Sequence, residues 1–210
     1  GVFYLDNVLN STGTIEPSTL SIGNHRVDYA FTDANGCSST ATEFFFVRPL
    51  PNPTIWGEDE YCENSTGAFY STAAGANLTY NWQVIGGSIE DGQGTDDITV
   101  TWNGIGGTQR VRLEETNTLT GCTGIATFNV SLLPTPVAGI TGDDKLCDEI
   151  GSLVPLTFNI SPGDAPYNLT YTDGGSNYSL VGINSGHTTN VSNAGNYSVV
   201  SVTDANGCTG

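Results

Sequence analysis

The hexapeptide Thr-Asp-Ala-Asn-Gly-Cys occurs twice in this chain, ending at Cys37 and at Cys208. A shorter relative, Leu119-Thr120-Gly121-Cys122, lies between them, and the three closing cysteines are spaced by 85 and 86 residues. A second series has the same period. Gly57-Glu58-Asp59-Glu60-Tyr61-Cys62 resembles Gly142-Asp143-Asp144-Lys145-Leu146-Cys147, 85 residues further on. Each step from a closing cysteine to the next opening one is 25 residues and contains Pro-x-Pro: Pro51-Asn52-Pro53, then Pro134-Thr135-Pro136. Self-similarity at a fixed period means one structural unit repeated along the chain. Proline pairs stiffen short linkers and cannot sit in a central strand. The expected organisation is three modules. Residues 1–49 are the C-terminal part of a truncated module, residues 50–134 a complete one, and residues 135–210 a third whose last strand is missing. With no Met and a first residue Gly1, the chain reads as a processed product or a fragment.

The apolar stretches are rich in Thr, Val, Ile, Tyr and Phe, and turn residues interrupt them every 8–12 positions. That pattern is all-β. In the middle module Leu78-Thr79-Tyr80-Asn81-Trp82-Gln83-Val84 and Ile98-Thr99-Val100-Thr101-Trp102 alternate apolar with polar, the period of a strand with one buried face. Further strands are expected at 67–71, 110–115 and 126–132. The third module offers 156–160, 167–171, 178–180, 188–191 and 196–202, and the first 2–5, 25–31 and 42–47. About seven short strands with a mid-chain Trp predict tandem immunoglobulin-like β-sandwiches in an extended array. Phe44-Phe45-Phe46 breaks the alternation: either both faces are buried there, or one face packs on the next module.

Five cysteines is an odd number, and the repeat accounts for it. The period predicts Cys62–Cys122 and Cys147–Cys208 disulfides, each closing one module, with Cys37 left unpaired by truncation. Small modules gain from such closure, and disulfides imply an oxidising, extracellular compartment. Zinc is disfavoured, because there is no Cys-x-x-Cys and the two histidines are isolated.

A net charge of −17 argues against nucleic acid and against anionic membrane surfaces, both of which need Lys and Arg. No apolar run reaches the roughly 20 residues of a membrane helix, so no membrane insertion is expected. Asp-Ala-Asn-Gly reads as a tight turn and lacks the ligand spacing of a calcium loop. Glu58, Asp59, Glu60, Asp143 and Asp144 recur just after the linkers and are weak calcium candidates; otherwise no cofactor is expected. Asp91, Asp96 and Asp97 sit in a Gly-rich hairpin without the apolar pocket that would raise a carboxyl pKa. His25 and His187 have no visible nucleophile partner. No catalytic residue is expected. Trp82 and Trp102 are expected in the core, and Trp56 is the aromatic expected to be exposed.

Residues 195–208, Gly-Asn-Tyr-Ser-Val-Val-Ser-Val-Thr-Asp-Ala-Asn-Gly-Cys, resemble the ends of repeats in large surface proteins of Bacteroidetes, as do residues 23–37. Tyr80-Asn81-Trp82, Gly86-Gly87-Ser88-Ile89 and Ile98-Thr99-Val100-Thr101-Trp102 resemble PKD-like domains of the same proteins, and Ala165-Pro166-Tyr167-Asn168-Leu169-Thr170-Tyr171 is similar to another of their segments. The resemblance covers nearly the whole chain. It implies a giant cell-surface adhesin of the SprB type used in gliding motility, exported by the type IX secretion system. The implied partners are neighbouring modules, that machinery and surface polysaccharide. The implied role is a non-catalytic structural or adhesive segment at the cell surface. The alternative is a set of accessory, glycan-binding modules of a secreted polysaccharide-degrading enzyme or protease.

Overall fold

The computed structural model describes residues 1–142 and 152–210. Within them the protein is built of β-sheets, paired antiparallel except where a short strand at 60–62 runs parallel to its neighbour, with a single 3-10 turn at Pro17–Thr19. It divides into two compact units. One comprises Gly1–Asn52, Gly75–Thr79 and Glu115–Ile125; the other comprises Pro53–Ala74, Tyr80–Glu114 and Ala126–Gly210.

The first stretch of chain forms one four-stranded sheet. Its strands are β1 (Val2–Leu5), β2 (Val8–Asn10), β3 (Gly23–Thr32) and β4 (Ser38–Val47), in the order β2-β1-β3-β4. Asp6 and Asn7 both have positive φ, 49° and 69°, and Leu5 faces Val8. That is the two-residue hairpin turn that Asx residues tolerate. Val27, Tyr29 and Phe31 point to one side of β3, and Phe3 meets Tyr29 with ring centroids 4.8 Å apart. No apolar side chain of residues 1–52 is fully buried; the buried ones are His25 and Asp28. Phe44 and Phe46 are exposed. Of the two readings of the triple-Phe strand, burial of both faces is corrected here: Phe45 stacks on His25, while its two neighbours face outward opposite Arg26 and Asn24.

The middle of the chain forms two four-stranded sheets. β5 (Trp56–Gly57), β7 (Ala68–Ser71), β10 (Asp97–Trp102) and β9 (Gly87–Asp91) make one, in that order. β6 (Glu60–Cys62), β12 (Thr123–Leu133), β11 (Gly107–Asn117) and β8 (Leu78–Ile85) make the other. Ile98, Val100 and Trp102 of β10 alternate into the core with Tyr70 of β7, Trp82 of β8, Val111 and Leu113 of β11, and Val130 and Leu132 of β12. Tyr70 lies edge-on to Trp102, with centroids 6.2 Å apart. β6 runs parallel to β12 and pairs Cys62 with Leu133.

The last part forms two three-stranded sheets. One has the order β13 (Ala138–Gly142), β14 (Val154–Ile160), β17 (His187–Val191). The other has the order β16 (Asn177–Ile183), β15 (Tyr167–Thr172), β18 (Ser198–Thr203). Leu156, Phe158 and Ile160 pack against Tyr167, Leu169, Tyr171 and Val202 in a second core. The all-β sandwich class read from the periodicity is what the chain adopts.

Candidate functional site

Two of the residues singled out in the sequence, Cys62 and Cys208, meet, and the wiring differs from expectation. Cys62 is bonded to Cys208, 146 residues away, and not to Cys122. Cys37 and Cys122 are free thiols. The predicted Cys62–Cys122 pair is overturned by strand geometry. Parallel pairing puts Cys62 beside Leu133, the last residue of β12. Cys122 immediately precedes the first residue of that strand. Eleven residues of extended chain separate the two ends by roughly 35 Å, and a disulfide spans only about 4.4–6.8 Å between Cα atoms. The predicted Cys147–Cys208 pair is overturned as well, because Cys208 is already used. Cys147 itself lies outside the described residues, as do Asp143 and Asp144. The disulfide therefore joins the middle and last parts of the chain instead of closing either one.

The linker beneath the disulfide is held from both sides. From the middle of the chain, Glu63 follows Cys62, and its backbone N–H donates to Leu133 O at 2.9 Å. The Glu63 carboxylate accepts hydrogen bonds from the backbone N–H of Gly106 and from Thr135, whose N–H and hydroxyl lie 3.3 and 3.2 Å away. Thr135 is the central residue of Pro134-Thr135-Pro136. From the last part of the chain, Gly163 and Gly210 approach Pro136. A Cβ at Gly210 would clash with Pro136 O, so only glycine fits there. Gly210 also exchanges two backbone hydrogen bonds with Val202, of 2.9 and 3.0 Å.

The Asp-Ala-Asn-Gly segment is the turn that positions Cys208. The Asp204 carboxylate is buried, and its Oδ1 accepts from the N–H groups of Asn206 (3.0 Å) and Cys208 (2.9 Å). Ala205 N–H donates to Asp164 O at 2.9 Å. Gly207 supplies the required φ of 85°. Asp33 builds the same turn before Cys37, accepting from Asn35 (2.9 Å) and Cys37 (2.8 Å), with Gly36 at φ 86°. At the third closing cysteine Asn117 takes that role, accepting from Leu119 and Thr120, and its own N–H donates to Cys122 O.

The other candidates are dispersed. Glu58, Asp59 and Glu60 are exposed around β5 and β6; Glu58 O accepts from the Tyr70 hydroxyl, and Asp59 O from Ser131 N–H. Among the described residues no three His, Cys, Asp or Glu side chains converge on a common point. Asp91, Asp96 and Asp97 border the β9–β10 turn, where Asp91 accepts from Gly92 N–H. Trp82 and Trp102 are buried and Trp56 is 52% exposed.

One polar pair escaped the sequence reading. His25 is buried on β3, with Nδ1 2.6 Å from Asp6 Oδ2 and Nε2 2.7 Å from Ser21 O. Both ring nitrogens face acceptors, so the imidazolium fits the site. The Asp6 hydrogen bond raises the His25 pKa above 6.5; the Arg26 N–H and His25 together hold Asp6 below 3.8. The cue was available: Asp-Asn between apolar runs marks a tight turn, which fixes where the Asp6 carboxylate sits.

Residues 48–130 match the model of the PKD-like domain. PKD-like domains are typically non-catalytic, and the matched span overlaps most of the middle pair of sheets. No curated protein matches the chain. Among solved structures the chain is similar to "Protocadherin gammaB7 EC3-6 cis-dimer structure", at 11% identity and a TM-score of 0.30. The match covers 95% of this chain and 58% of that one. No described helix is long and apolar enough to cross a membrane.

Proposed function

We propose that this chain is a non-catalytic spacer segment of a long, secreted cell-surface filament that serves adhesion or gliding. Its modules are residues 1–49, 50–134 and 135–210. The junction supports this reading: a Pro-Thr-Pro linker gripped by Glu63 on one side and by Gly163 and Gly210 on the other, then cross-linked by Cys62–Cys208. A segment that transmits tension gains most where modules would otherwise hinge. The PKD-like match and the Bacteroidetes-type repeat ends support export to the cell surface through type IX secretion, as in SprB-type adhesins. The −17 charge keeps neighbouring filaments apart.

The test is labelling of intact, unpermeabilised cells with an antibody raised against residues 50–134. Surface labelling, with loss of adhesion when the antibody is present, is expected. Signal that appears only after permeabilisation would remove the reading. A glycan-binding accessory role is favoured by the half-exposed Trp56 alone. It predicts polysaccharide retention of this chain that Trp56→Ala abolishes.

A further inference from the structure

We infer that the disulfides of this protein are staggered. The closing cysteine of each module bonds to the opening cysteine of the module before it, so that Cys122 is one half of a staple to the module ahead of residue 50. This inference rests on the modular reading above.

Three observations carry it. The first is directional. Cys62 lies at the end of the middle module where β12 leaves it, while Cys122 lies at the end where β12 begins. An opening cysteine thus faces the next module and a closing cysteine faces the previous one. Cys62–Cys208 realises this arrangement once. The second is equivalence. Cys37, Cys122 and Cys208 close the same repeat and sit in turns organised by Asp33, Asn117 and Asp204, respectively. The third is placement. The hairpin carrying Cys122, within Glu115–Ile125, belongs to the same compact unit as Gly1–Asn52, the module that precedes it. The Cys208 turn is tied to the module that precedes its own by the bond to Cys62. The 85-residue period puts the partner of Cys122 upstream of Gly1, and Cys37 is the same half of the junction one module earlier.

Each staple forms by oxidation of two thiols. The pair loses two protons and two electrons, and one S–S bond forms. A disulfide-bearing oxidant accepts the electrons and leaves as a dithiol. This chemistry belongs to an oxidising compartment.

The test uses the native polypeptide that carries this chain, isolated without reductant and blocked at lysis with iodoacetamide, then mapped as non-reduced peptides. A Cys62–Cys208 cross-linked pair is expected, together with a Cys122 peptide linked to a cysteine that precedes Gly1; a Cys122 link to Cys37 or Cys147 overturns the inference. A Cys62–Cys122 cross-link, or Cys122 recovered fully alkylated, overturns the inference. Surface labelling with alkylated Cys122 would keep the filament and discard the stagger. Staggered links in a protein that stays inside the cell would do the reverse.

Discussion

Asp6 and His25 are the two side chains whose charges depend on each other, and they make the first sheet pH-sensitive. The folded His25 pKa is raised, so its contribution is complete below about 6.5 and is lost as pH rises through the folded value. Asp6 is lowered, so its contribution is present above 3.8 and is lost as pH falls through the folded value. Protection of the β1 and β3 amides, relative to their intrinsic exchange rates, is therefore expected to be highest between roughly pH 4 and 6.5. His25→Gln should abolish the loss of protection on the alkaline side. Equal protection at pH 5.5 and 8.5 in the parent protein would contradict this. Asp204 is the residue-scale determinant at the junction. Asp204→Ala strands the buried Cys208 N–H and leaves the exposed Asn206 N–H without its acceptor, at a cost of about 1–3 kcal/mol, measurable as a lower denaturant midpoint. The tight-turn reading of Asp-Ala-Asn-Gly was legible in the sequence because its mechanism is local: an Asp accepts from its own backbone, and a Gly turns the chain. The His25–Asp6 pair was not, because it depends on which strand lies beside which.

At the scale of elements, β10 and β11 carry the middle core. Trp82→Ala on the facing β8 removes a fully packed indole whose Nε1–H donates to Thr95 O at 2.9 Å. The expected loss is about 3–5 kcal/mol, read from the unfolding midpoint followed at Trp102. The β12 end and its linker depend instead on Glu63. Glu63→Ala leaves Gly106 and Thr135 without their acceptor, so faster exchange at those two amides is expected while the core amides hold. Unchanged exchange at Thr135 would mean that the prolines alone hold the linker. Alternation made the long strands β8, β10, β11 and β12 visible in advance. The short ones, β2, β5, β6, β9 and β13, gave no such signal. Two to five residues are too few to show a period, and these strands form because a neighbouring edge offers hydrogen-bond partners.

At the scale of the whole molecule, the cross-link spans 146 residues, and in the chain-entropy model a loop of that length contributes about 5 kcal/mol against complete unfolding. The two cores are separate and local. Reduction, or Cys208→Ser, should therefore lower the melting temperature yet leave the room-temperature emission of Trp82 and Trp102 unchanged, while exchange rises at 133–137 and 204–210. A red-shifted emission on reduction would show that the disulfide holds a core together and not a junction. The sequence by itself determined the period, the all-β class, the turns at the closing cysteines and the buried tryptophans, because each follows from local pattern and backbone preference. Only the tertiary structure decided which cysteines meet. Periodicity says which positions are equivalent, but the parallel pairing of β6 with β12 sets Cys62 and Cys122 at opposite ends of one strand, and bonding follows distance.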